Sequence, residues 1–167
     1  MNRGFTLVEL LMVVVILGLL ASMAVVQPGR VRERLELDTA LRLLRVGLDR
    51  GRMAAERTGE PCGLSLGPEG WQPPLDGSLP ACRGGLTRLS ETVDSQVDLR
   101  SNLPELVRFT ANGLLLDGGL VVLRHPRLDQ ALCLVVSLPL GITRTGDYNA
   151  DPGAALRSSH CQPRDET

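Results

Sequence analysis

The chain has 167 residues, with 18 basic and 19 acidic side chains and a formal net charge of −1. That length fits one domain plus a short appendage, and the charge excludes the broad positive field of a nucleic-acid binder. Every basic side chain is arginine and the only aromatics are Phe5, Trp71, Phe109 and Tyr148; a basic surface interleaved with stacking rings is therefore excluded too, and the core must be built from Leu and Val.

The first element is the apolar run from Phe5 to Val26, whose only ionisable side chain is Glu9. As a helix it would be about 33 Å long, enough to span a bilayer core. Arg3 precedes it, and the charged segment "GRVRERLELD" follows. A lone carboxylate in hydrocarbon costs roughly 2.5–3.5 kcal/mol, so Glu9 calls for a partner. Ser22-Met23-Ala24 offers a small-residue cleavage site of the secretory kind, but the run is long for a signal peptide and Glu9 is foreign to one.

The stretch "RGFTLVEL" resembles the class III signal of type IV pilins and pseudopilins: a short basic leader, Gly4, then Phe5-Thr6-Leu7-Val8-Glu9-Leu10. The resemblance implies cleavage between Gly4 and Phe5 by a membrane aspartyl prepilin peptidase, with N-methylation of the new Phe5 amine. Gly4 suits that cleavage, because no Cβ obstructs the protease at the backbone. The apolar helix would survive maturation. The resemblance also gives Glu9 its partner, the N-terminal amine of a neighbouring subunit, a pairing that offsets burial and fixes register.

Further along, Gln27-Pro28-Gly29 predicts a kink or local opening. Leu37, Leu41, Leu44, Leu48, Gly51 and Ala55 then recur at spacings of four and three. This is one face of an amphipathic helix from about Val31 to Arg57, stopped by Gly59 with Pro61 following. Its many arginines read as a solvated face with pairs such as Glu33–Arg30 and Glu56–Arg52.

From Pro61 the period changes. "CGLSL", "VDLRSNL", "ELVRFTANGLLLDGGLVVLRH" and "QALCLVVSLPLGITRTG" read as short strands separated by Gly, Pro and Asn. Asn112-Gly113 and Asp117-Gly118-Gly119 are turn signals. The continuous run "ALCLVVSL" predicts an interior strand. Gly67 to Gly85 reads as a loop or irregular hairpin carrying Trp71 and Cys82, and the tail from Asp147 as polar and irregular.

The resulting plan is a leader (1–4), a transmembrane and assembly helix (5–26), an amphipathic spine helix (27–60) and a β-rich domain (61–167). This is the α+β order of pilin-like subunits, a long helix packed on an antiparallel sheet. Within that class "LDTALRLLRVGLDRGRMAAERTGEPCGLSL" is similar to the spine helix and first strand of the GspH/FimT group of minor pseudopilins. "LVRFTANGLLLDGGLVVL" is similar to that group's hairpin, with Phe109 and Gly113, and "LCLVVSLPLGITRTG" to its final strand. The group's terminal Gly-Arg-x-Arg turn reads Gly141-Ile142-Thr143-Arg144 here, without the first Arg.

Cys62, Cys82, Cys133 and Cys161 form no CxxC and have no His at ligand spacing, so no zinc site is expected. An even count behind an exported anchor implies two disulfides, with three connectivities open. The pairing expected is Cys62 with Cys82, closing the loop around Trp71, and Cys133 with Cys161, fastening the polar tail.

The sequence has no GxSxG, HExxH or P-loop, and no enzyme constellation emerges. His125, before a proline, and His160, beside Cys161, are expected at the surface. Asp147, Asn149 and Asp151 alternate, but no closing Glu follows at calcium-loop distance. No cofactor or metal is expected, and the chain reads as the substrate of an enzyme rather than an enzyme. The function implied by the resemblance is that of a minor pseudopilin in a type II secretion or type IV pilus filament machine. It would act in filament initiation or tip assembly for protein secretion, spanning the inner membrane once with its C-terminal domain periplasmic. Its partners would be other pilin subunits, met through the N-terminal helix, the prepilin peptidase and the inner membrane. The alternative is a filament-borne DNA receptor for natural transformation, with Arg144, helped by Arg157 and Arg164, on phosphate and Tyr148 as a stacking surface. Asp147, Asp151, Asp165 and Glu166 share that tail and leave little net phosphate neutralisation, so DNA is the less favoured partner.

Overall fold

The computed structural model describes residues 6–24, 28–89 and 96–164. Two compact units divide the chain, residues 1–32 and 33–167. The first holds α1 (Leu7–Ala24) and the opening turn of α2 (Pro28–Thr58). Pro28 is the first residue of α2, where its missing N–H costs no hydrogen bond. The predicted break therefore falls on a helix start, with Gln27 outside the described residues. At the other end Gly59 takes a φ of 65° and its N–H donates to Ala55 O at 2.9 Å, a left-handed C-terminal cap.

In the second unit the apolar stripe of α2 is buried as its spacing predicts: Leu37, Leu41, Leu44, Leu48 and Ala55 are all in the core. Among the described residues the strands are β1 (Cys62–Gly67), β2 (Gly70–Gln72), β3 (Thr87–Arg88), β4 (Asp98–Ser101), β5 (Val107–Phe109), β6 (Gly119–Arg124), β7 (Ala131–Ser137), β8 (Ile142–Tyr148) and β9 (Cys161–Pro163). They form two antiparallel sheets, ordered β3-β2-β1-β5 and β4-β6-β7-β8-β9. A long N-terminal helix followed by antiparallel sheets is the α+β, pilin-like arrangement expected.

The run in β7 is apolar throughout because both its faces are covered. Leu132, Leu134 and Val136 join the main core with α2. Ala131, Cys133 and Val135 face a second cluster with Leu120, Val122, Tyr148 and Cys161. The lid on that outer face is the C-terminal tail, irregular from residue 149 to 157 as expected but held against the sheet. It is held by Arg124, whose Nη2 donates to Ala150 O at 2.8 Å, and by Arg100, which donates to Pro152 O and Ala154 O. It then returns as β9 along β8, Tyr148 opposite Cys161. The tail's few apolar residues, Ala150 and Leu156 among them, repay this docking.

Two further expectations become specific. Of the two alternatives for the segment carrying Trp71, loop or irregular hairpin, the hairpin is found: β2 pairs with β1, Leu66 opposite Trp71, and Trp71 is 2 % exposed. Its Nε1–H donates to Leu44 O of α2 at 2.7 Å. The arms around Gly113 make the expected hairpin only over a short stretch: Phe109 bridges Leu115, the Thr110 N–H donates to Leu114 O at 2.9 Å and the Leu116 N–H to Arg108 O at 3.0 Å. The turn exists, with Gly113 at φ 71°, but β5 pairs with β1 and β6 with β4 and β7. The pairing of the arms stops beyond the Phe109–Leu115 bridge, because the chain that follows crosses from one sheet to the other. Asp117 marks the crossing. It accepts from the guanidinium of Arg108 at 2.8 Å on both oxygens, and these hydrogen bonds hold its carboxyl below the usual carboxylate range.

The structure pairs Cys62 with Cys82 and Cys133 with Cys161, at Cα separations of 5.0 and 5.8 Å, the two pairings expected. The first ties β1 to the loop after β2. The second staples the tail to β7 inside the outer cluster.

Candidate processing and assembly site

Gly4 and Phe5, the residues of the expected cleavage, lie outside the described residues. Glu9 is in the first turn of α1, and the structure supplies a local reason for the residues around it. The Glu9 N–H donates to Thr6 Oγ1 at 3.4 Å and the Leu10 N–H to Thr6 O at 3.2 Å. Thr6 is thus the N-cap, and Thr6-x-x-Glu9 has the spacing of a capping box. A carboxylate at the third helical position also faces the positive end of the helix dipole. Thr6 was the residue that motif reasoning passed over, although a Thr three before a Glu at the head of an apolar run is a recognised helix-start signal.

From Leu10 to Leu20, α1 has no polar face. Every residue from Thr6 to Leu20 is exposed, and its large side chains are Leu, Val, Ile and Met all round. A helix apolar on every side finds its cover outside its own chain unit. Among the described residues no helix is long and apolar enough to cross a membrane. At 18 residues, α1 is about 27 Å long, against a hydrocarbon core of about 30 Å. The longer 5–26 segment of the sequence reading includes Phe5, Val25 and Val26, outside the described residues.

The three arginines considered for DNA do not form one site. Arg144 is exposed on β8 and its Nη2 donates to Ser158 O at 3.4 Å, so it lies beside the turn that Arg157 opens. Arg157 donates its own N–H to the Tyr148 hydroxyl at 3.2 Å. Arg164 is turned away, onto Asp38 of α2 at 2.8 Å and Asp147 at 2.9 Å. Burial is the largest single influence on this guanidinium and works against its charge, but the hydrogen bonds to Asp38 and Asp147 outweigh it and hold the pKa above the ordinary value. Tyr148 is no stacking platform: it is buried, its ring tilted against His160 at 6.1 Å.

The other polar residues singled out in the sequence make contacts within the domain. His125 is buried, contrary to the surface position expected. Its Nδ1 accepts from the Arg127 N–H at 3.3 Å, and its Nε2 lies 3.9 Å from Glu36. Glu33, also buried, is bonded by Arg127 at 3.2 Å rather than serving as the exposed helix pair expected with Arg30; Arg52 and Glu56 do pair, at 3.0 Å. Asp147 accepts from Gln130 and Arg164, while the Asn149 side chain donates to Gln162.

Residues 1–25 match the prokaryotic N-terminal methylation motif. No curated protein and no solved structure matches the chain.

Proposed function

We propose that the chain is a minor pseudopilin of the GspH/FimT type. In this reading it is cut between Gly4 and Phe5, methylated at Phe5, anchored in the inner membrane by the helix that follows, and assembled with other pilin-like subunits in initiation or tip assembly of a secretion filament. It is a substrate of the prepilin peptidase and has no catalysis of its own. The observation that carries the reading is the methylation motif over residues 1–25, standing ahead of an α1 that is apolar on all sides. The helix-then-sheet order supports it.

The experiment is an intact mass of membrane-extracted protein. The expected chain starts at Phe5 and is about 14 Da heavier than its unmethylated mass. The chain has no lysine, so its N-terminus is the single amine, and amine-directed labelling reads the same event without interference. Gly4→Leu should leave the full-length chain uncut. A start at Val25 instead would mean that a secretory peptidase removed the helix, and the filament reading would fall.

Glu9→Leu separates anchoring from assembly. It removes the charge that membrane burial penalises, so membrane extraction should be unchanged. It also removes the partner of the neighbour's amine, so incorporation into filaments should drop at least tenfold. Normal incorporation of this variant would leave Glu9 with only its place in the first helical turn.

DNA capture is the weaker reading. With Arg164 committed to two carboxylates, Arg144 and Arg157 remain, and two phosphate contacts give a log–log salt slope of only about −2. No duplex binding is expected at physiological salt, and micromolar binding in a gel-shift titration, lost in Arg144→Gln, would reverse the order of the two readings.

A further inference from the structure

The opening turns of α2 carry two arginines and two large apolar residues in water. Arg30 and Arg34 are exposed, and Val31 and Leu35 are 59 % and 60 % exposed. Each pair is spaced i, i+4, so its members stand one turn apart on the same side of the helix. At about 100° per residue, the apolar pair comes next to the arginine pair around the helix axis. The stretch is therefore one band, cationic along one edge and apolar along the other.

The fold leaves both guanidiniums without a counter-charge. A carboxylate three or four positions on is the usual helical partner of an arginine. For Arg30 that acid is Glu33 and for Arg34 it is Asp38, and arginines of the β-rich part take both: Arg127 bonds Glu33 at 3.2 Å and Arg164 bonds Asp38 at 2.8 Å. Among the described residues neither Arg30 nor Arg34 is in an ion pair. Arg30 comes six positions after Ala24, the end of α1, a reach of at most about 22 Å however the connection runs. With α1 in a bilayer, that tether keeps the band within reach of the headgroup layer. There phosphate meets guanidinium, and the first methylenes of the acyl chains meet Val31 and Leu35. A soluble anion would satisfy the arginines and leave the apolar edge in water, whereas a lipid surface satisfies both edges. We propose that this band is a docking face for anionic phospholipid at the surface of the membrane that holds α1, an inference that rests on the anchored reading of α1.

The test uses the full chain reconstituted in vesicles of phosphatidylcholine, alone or mixed with phosphatidylglycerol, each containing a lipid with a nitroxide on its headgroup. All four native cysteines are in disulfides, so a dye attached at Leu35→Cys reports from the band alone. Its quenching should be at least about threefold stronger with phosphatidylglycerol. The difference should vanish in 1 M salt, where the screening length falls to about 3 Å. Adding Arg30→Gln and Arg34→Gln should remove it as well. A dye at Leu75→Cys, on a side chain 74 % exposed in the loop after β2, should show no such difference. The native Cys133–Cys161 bridge in a peptide map and an unshifted Trp71 emission verify that the variants are folded. Equal quenching in the two lipid mixtures, or a difference that survives both Gln substitutions, would overturn the proposal. So would quenching that falls as more protein is added per vesicle whatever the lipid charge, because the band would then be covered by another protein chain. Flotation of the same vesicles reads the anchor separately. A chain that does not float overturns the anchored reading and this one together; a chain that floats with lipid-independent quenching overturns only the docking face.

Discussion

Gly47→Val is expected to destabilise the domain by about 3 kcal/mol or more, because no side chain fits where α2 crosses β2. A Cβ on Gly47 would run into Trp71 Cδ1 and lie 2.9 Å from Gly85 O. The helix cannot back away at low cost. Its Leu44 carbonyl accepts from the Trp71 indole at 2.7 Å and its Leu43 carbonyl from Thr87 Oγ1 at 3.3 Å. Overpacking costs about 1–3 kcal/mol, and leaving a buried indole N–H unpaired adds about 1–3 kcal/mol. The better helix propensity of Val over Gly returns only a few tenths. For a domain of this size the unfolding midpoint should fall by roughly 10 °C. Trp71 is the single tryptophan, so its emission should also shift to the red. A midpoint within two degrees of wild type, with emission unchanged, would show that the helix repacks freely and that the contact is not tight.

The Cys133→Ala, Cys161→Ala double variant should lose a similar amount, and lose it in one place. The bridge closes a span of 28 residues, which the chain-entropy model values at about 3–4 kcal/mol. The tail it fastens has few other apolar anchors. Its loss should therefore expose Leu120, Val122 and Val135 and make residues 149 to 160 the first site of limited proteolysis. Removing Cys62 and Cys82 opens a comparable span of 20 residues but should not free the segment around Trp71, which keeps its indole bond to α2. Equal protease resistance of the tail with and without Cys133–Cys161 would sink the lid description.

The parts of the fold that were legible are those whose signal is local and repeated. The stripe from Leu37 to Ala55 gives α2 because its period is that of a helix, and the unbroken run Ala131–Ser137 gives a strand covered on both sides. The tail was not legible, since Tyr148, Ala150, Leu156 and Cys161 are too widely and unevenly spaced to show any period. The Asn112-Gly113 turn was legible but its consequence was not: turn chemistry fixes four residues, whereas the change of sheet is decided by Leu115 on Pro139 and Arg108 on Asp117. Glu33 and His125 read as surface residues because their partners come from elsewhere in the chain. The same holds for Arg164, whose bond to Asp38 spans 126 positions. At the candidate site the motif itself was plain, and only the cap at Thr6 went unread.

The margins of the two sheets limit what copies of this chain can do if they are crowded together. β9 ends in Pro163, which has no N–H to offer, and β3 is two residues long. The far side of β5 is already occupied, since the Leu116 N–H donates to Arg108 O at 3.0 Å. β4 is four residues long and carries Arg100, whose side chain is bound to the tail. Short, proline-bearing or covered margins are how natural sheets avoid templating the strands of another molecule. Crowded copies of this chain therefore have little opportunity to zip together backbone to backbone into amyloid-like deposits. Among the described residues, contact between such copies is left to side chains, and such contacts can be made, tested and released.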